Sequence, residues 1–174
     1  MRRLQLLIMV TAFMCVTNWL SLRVRANPST GIQVEMATTN ATPREVEDTT
    51  QAAIIRDYSA AWKAMEASLD SNQDAGLAAV FTGNALEQIQ ERMTQQKKAG
   101  LHTRFTDRGH QLDAVFYSPE GSAMQLHDTA RLEIQTLEGE KVIHSETATL
   151  HYVILMTVAE DRWKVRLLQG VGSF

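Results

Sequence analysis

Residues 122–136 (SAMQLHDTARLEIQT) and 142–158 (VIHSETATLHYVILMTV) are two long ribbons of period two. Successive side chains of a strand point to opposite faces, so each ribbon has an apolar side and a polar side. In the first, the even positions are Met124, Leu126, Asp128, Ala130, Leu132 and Ile134, and the odd ones are mostly polar. In the second, Val142, Ala148, Leu150, Tyr152, Ile154, Met156 and Val158 make the even side the more apolar one as well. Consecutive strands joined by a short loop pair antiparallel. Even must therefore oppose even, which needs an odd-length loop such as Glu138-Gly139-Glu140, or a bulge. A two-residue turn alone would set Arg131 against Glu146 and turn Gln125 and His127 into the core, because a one-residue slip inverts every side chain. Ribbons of about 15 residues run roughly 50 Å if flat. A chain of 174 residues cannot hold such a sheet unless it coils and bends.

The same alternation marks strands near 103–117 and 162–169. Ser118-Pro119-Glu120-Gly121 and Glu160-Asp161 are turn material between them. At the last turn, Val158 opposite Trp163 brings Met156 to Val165 and Ile154 to Leu167. Ahead of the strands the period is 3.6. Asp48 with Gln51 fits a capping box. Ile54, Ile55, Tyr58, Ala61, Trp62, Met65 and Leu69 then form one helical stripe ending near Asp70. A short helix at 77–81 follows, and Asn84 is placed to cap a third helix with Leu86, Ile89 and Met93 on one face, ending at Gly100. The expectation is an α+β domain over 48–174, with N-terminal helices packed on a strongly curved antiparallel sheet of about four strands. A bent sheet closed by helices is a cone. Tyr58, Trp62, Leu126, Asp128 and Tyr152 are the residues expected to line its interior.

The N-terminal segment has another character. Arg2 and Arg3 precede an apolar run at 6–16, and Val24-Arg25-Ala26 supplies a small residue before Asn27. This is the plan of a signal peptide over 1–26. Residues 4–22 are also just long enough to span a bilayer as an uncleaved anchor. Either way the remainder is expected outside the cytoplasm, secreted or periplasmic. Residues 27–47, rich in Thr, Asn, Pro and Ser, are expected to be a flexible spacer. The only cysteine, Cys15, lies in the leader, so the domain holds together without a disulfide. Without Arg2, Arg3, Arg23 and Arg25, 13 of the 17 basic residues meet all 20 acidic ones, a charge of −7. That balance opposes nucleic-acid binding, which depends on phosphate neutralisation. Arg92, Lys97, Lys98, Arg104 and Arg108 read as a solvated face.

The order of elements, with the stretches AAIIRDYSAAWKAM, LAAVFTGNALEQIQ, LHDTARLEIQTLEGEK, ETATLHYVILMTV and DRWKVRLL, resembles the nuclear-transport-factor-2-like (cystatin-like) superfamily. Within it, residues 52–168 are similar to the C-terminal domain of plastid-division proteins and its bacterial relatives. The resemblance implies a conical pocket, often a dimer through the sheet, and, for these relatives, a non-catalytic interaction domain. Other members are isomerases, cyclases and dehydratases with acid–base pairs in the cone. No catalytic motif transfers residue by residue.

Three residues carry candidate chemistry. Asp128 lies on an apolar wall, where desolvation raises a carboxyl's pKa toward the range of a general base. It equally suits a structural hydrogen bond to Tyr58, Trp62 or Tyr152. His144 and Glu146 share one side of a strand at i, i+2, as an imidazole–carboxylate pair or as a solvated strand end. The remaining histidines lack ligand spacing, and no metal site or cofactor is expected. The leading expectation is an exported, non-enzymatic domain binding a partner protein or small apolar ligand. One alternative is a small isomerase or lyase using Asp128 with His144 or Glu146. Another is an assembly subunit forming a homodimer through the outer sheet face.

Overall fold

A computed structural model describes residues 32–174. The expected signal peptide or anchor over 1–26 lies outside the described residues. Among those described, no helix is long and apolar enough to cross a membrane. The elements are β1 (Val34–Ala37), β2 (Thr42–Pro43), α1 (Asp48–Ser71), α2 (Leu77–Val80), α3 (Gly83–Ala99), β3 (Leu101–Tyr117), β4 (Ala123–Glu138), β5 (Lys141–Ala159) and β6 (Arg162–Val171).

The sheet runs β1-β3-β4-β5-β6, with β2 also on β3. It is curved and not closed, and the helices pack on it in the manner of the nuclear-transport-factor-2-like cone. The four long strands are antiparallel, as expected. The sheet has six strands and is mixed, because β1 and β2 pair parallel with β3. Residues 34–37 and 42–43 therefore belong to the sheet and not to a spacer. Ile32, Val34 and Met36 alternate toward the core and pack against it. The Gln51 amide donates to the Met36 carbonyl at 2.8 Å, tying β1 to α1.

The helix starts at Asp48, as expected, but its cap differs. Gln51 does not close a capping box. Glu47 occupies the cap position and accepts from the Thr50 hydroxyl at 3.2 Å. Thr82, not Asn84, stands at the cap position of α3, without a side-chain capping bond, and the helix ends as expected at Gly100 in a left-handed conformation (φ 71°). The α1 stripe is buried at Ile54, Tyr58, Ala61, Trp62, Met65 and Leu69. Asp57 is buried too: its carboxylate accepts the Trp163 backbone N–H at 2.9 Å and so fastens the start of β6 to α1.

The even-to-even register holds along β4 and β5, from Met124↔Met156 through Leu126↔Ile154 and Asp128↔Tyr152 to Thr136↔His144. A bulge accomplishes it. The pairing shifts to Leu137↔Val142 and Glu138↔Lys141, leaving Ile143 as the extra residue beside a two-residue turn. Met124, Leu126, Leu132, Ile154 and Met156 are fully buried on one face. At the last hairpin Val158↔Trp163 and Met156↔Val165 pair as expected, but Ile154 meets Leu168, not Leu167. An extra residue at Arg166, a bulge, shifts the register.

Candidate functional site

The interior is set by β3, whose alternation breaks twice. Asp107 pairs with Leu132, and the next pair is His110↔Ala130. Arg108 and Gly109 together oppose Arg131, a bulge made possible by Gly109 at φ 123°. The Asp107 carboxylate accepts the Gly109 N–H, and the Gln33 carbonyl accepts the His110 N–H at 2.8 Å. Beyond the bulge the inward parity switches, and His110 points inside with Leu112 and Ala114.

His110 meets Asp128 there. One Asp128 oxygen, Oδ2, accepts from the Tyr58 hydroxyl at 2.7 Å and from His110 Nδ1 at 2.8 Å. Both side chains of the His110–Asp128 pair are 0% exposed. His110 Nε2 faces Asp107 Oδ2 at 3.4 Å, an ion-pair distance. Burial alone would lower the His110 pKa, but the two carboxylates outweigh it and raise it to about 9. At neutral pH the ring is an imidazolium between two carboxylates. Trp62 lies over it with ring centroids 4.5 Å apart, a favourable cation–π position. Burial, and then the Asp128 charge, push the Tyr58 phenol well up. Glu66, one turn beyond Trp62, is raised to about 7 by burial and by Asp107.

Asp128 is thus hydrogen-bonded into the structure. Tyr58, one of the partners expected from the sequence, supplies one bond. His110, which had no expected role among the scattered histidines, supplies the other. The mid-strand glycine was the available signal, since Gly inside an alternating strand marks a bulge. His144 and Glu146 lie elsewhere. They are 61% and 56% exposed, with Nε2 and Oε2 3.8 Å apart. They pair with Thr136 and Ile134, whereas Asp128 pairs with Tyr152. Six residues of strand, about 20 Å, separate Glu146 from Tyr152. The structure does not bring them to Asp128.

A cavity of about 160 Å³ opens beside this network. Met65 and Leu69 of α1 and Ile89 of α3 form one side, and Phe105, Tyr152 and Leu168 of the sheet form the other. Trp62 is the partition: it lines the cavity and also packs on His110. Gln88 and Arg92 stand exposed at the mouth, and the Arg92 guanidinium sits over Phe105, 5.8 Å from the ring centroid. Of the five residues expected to line the cone, Trp62 and Tyr152 do so. Tyr58, Leu126 and Asp128 are buried behind them. In the expected solvated basic face, Arg104 and Arg108 pair with Asp70 and Glu133. Among the described residues no three His, Cys, Asp or Glu side chains are grouped to hold a metal ion.

No protein-family model matches the chain, and no curated protein does. Solved structures match its fold. The intermembrane space region of chloroplast protein ARC6 superposes with a TM-score of 0.59 at 17% identity, over 74% of this chain and 98% of that one. A protein from Kribbella flavida superposes with a TM-score of 0.48 at 15% identity, over 71% and 90%. The match to the ARC6 region is one of fold, and the resemblance to the nuclear-transport-factor-2-like fold drawn from the sequence holds at that level.

Proposed function

We propose that this is an exported, non-enzymatic binding domain whose cone accepts one apolar group, offered by a partner protein or by a small apolar molecule. The observation that carries this reading is the partition at Trp62. The polar network lies on one side, without exposure, and the cavity on the other. An imidazolium already holding its proton, and a carboxylate already accepting two hydrogen bonds, are poorly placed to take a proton from a bound molecule.

The cavity's size narrows the occupant. About 160 Å³ is roughly the space that holds one benzene-sized group. Sites for whole drug-sized ligands run to several hundred Å³. The fit is to an anchoring side chain of a partner, of the kind that dominates interface energetics. Arg92 at the mouth suits an acidic neighbour beside that anchor. Export rests on the leader pattern over 1–26, and the name of the ARC6 region is in keeping with it. If the leader stays uncleaved, residues 4–22 hold the domain at a membrane.

The hydrogen-bonded Tyr58, Asp128 and His110 favour one second reading, acid–base chemistry after movement of Trp62. Titrating the full chain with toluene and with phenylacetate, followed by NMR, separates the two. Both compounds are expected to shift the methyl signals of Met65, Leu69 and Leu168. Phenylacetate should bind about threefold more tightly, and Arg92→Ala should erase that difference. Signal changes centred on Tyr58 and His110 would favour the acid–base reading. No change with either compound would remove the cavity as a binding site.

A further inference from the structure

β5 is much longer than the strand beside it. β6 covers it only from His151 to Ala159. Among the described residues no strand pairs with the other edge of Lys141–Leu150. The backbone there offers a row of N–H and C=O groups of the kind that recruits another strand. Lys141 to Thr147 are all exposed, and Val142 and Ile143 are 44% and 48% exposed despite being apolar. No proline interrupts this stretch, and its bulge at Ile143 and its lysine at 141 lie at the hairpin end, leaving His144–Leu150 regular.

The edge reads as its own complement. Pair two copies antiparallel with Ser145 opposite Ser145. His144 then faces Glu146 twice, and Ile143, the bulge residue at the hairpin end, comes beside Thr147. Imidazole meets carboxylate and branched meets branched, both favourable cross-strand pairs. Registers that keep the same faces together differ by one position at the centre. One sets Glu146 against Glu146, and the other sets His144 against His144. Both place like groups opposite each other, which discriminates for the Ser145 register. The length also fits. The regular stretch from His144 to Leu150 holds the centre of the contact, and β6 begins to cover β5 only at His151. The partner's hairpin tip then comes to the end of β6, where Val171 pairs with His151 and Gly172 follows.

We propose that two copies of this chain join edge to edge through β5, with Ser145 on a two-fold axis and one sheet running across the dimer. The contact is isologous, so each favourable pair occurs twice. It differs from a dimer through the outer sheet face. It also leaves the cavity free, because β5 contributes only Tyr152 to that wall.

The test is cross-linking in the full chain. Cys15 is the only cysteine, so a Cys15→Ser background isolates one introduced thiol. Opposed residues in antiparallel strands have Cα atoms about 4.5–5.5 Å apart, within disulfide range. Ser145→Cys is expected to form a covalent dimer rapidly under mild oxidant, and Arg131→Cys, on the outer face, is not. Sedimentation should show His144→Glu weakening the dimer about tenfold, through two Glu–Glu contacts. At pH 6, His144→Glu combined with Glu146→His should restore it. A monomer at high concentration, equal cross-linking at Arg131→Cys, or a swap that fails to restore association would overturn the proposal.

Discussion

One oxygen of Asp128 organises the interior of this protein. It accepts two hydrogen bonds with no solvent contact, one of them from a cation. Removing one partner of a buried charge pair costs about 3–5 kcal/mol when the other is left uncompensated. Asp128→Ala should destabilise by about 3 kcal/mol in urea unfolding, the low end of that range, because His110 stays enclosed but keeps Asp107 on its other nitrogen. Tyr58→Phe removes a neutral donor to that carboxylate and should cost less, about 1.5–3 kcal/mol. If Asp128→Ala melts like the wild type, the network contributes nothing to the fold and its structural role fails. The ranking matters as much as the size: a loss at Tyr58 exceeding that at Asp128 would place the energy in ring packing, where Tyr58 meets Trp62 and His110 edge-on.

The strands show why some of this was legible and some was not. β4 keeps one alternation through Ile134, so its parity could be read from Met124, Leu126 and Leu132 alone. β3 changes inward parity at Gly109 and again near Val115, where the register shifts between Ala114 and Phe116. No single parity describes it, and His110 was hidden by the first change. β1 alternates over only Ile32, Val34 and Met36, too short a run to stand out in a polar segment. The register of β6 was read correctly up to its own bulge and wrongly beyond it. Burial chooses the face, but bulges move it, and a bulge without a glycine, as at Arg166, leaves no mark. The Gly109 bulge can be tested directly. A Cβ there would meet Arg131 Nη2 at 3.4 Å, on a backbone at φ 123° that L side chains rarely adopt. Gly109→Ala should cost about 1–3 kcal/mol and disturb the His110 ring resonances by NMR. An unchanged His110 spectrum would show that the bulge does not set its position.

Across the whole molecule, the perturbed groups pull the stability curve in opposite directions. Asp57 titrates below its ordinary value: burial opposes this, but Arg56 and the Trp163 N–H outweigh it. Its contribution is present above the unfolded value near 3.8 and is lost as pH falls through the lower folded one. Glu66 is raised from 4.5 to about 7, so its contribution is complete below 4.5 and lost as pH rises through about 7. His110 is raised from 6.5 to about 9, so its contribution is complete below 6.5 and lost as pH rises through about 9. A tenfold change in proton affinity between the folded and unfolded states is worth about 1.4 kcal/mol, which makes the His110 limb about 3 kcal/mol. The native state binds the extra proton throughout that window, so the slope of stability with pH is negative there. These groups therefore place the highest melting temperature near pH 4, with a fall of about 10 °C between pH 6.5 and 9, at a few degrees per kcal/mol. His110→Gln should start from a lower melting temperature and be nearly flat over the same range. Glu66→Gln should flatten only the part between 4.5 and 7. A wild-type melting temperature that rises from pH 6.5 to 9 would mean that His110 is neutral in the folded protein, and the charged network of His110 and Asp128 would have to be replaced by a neutral one.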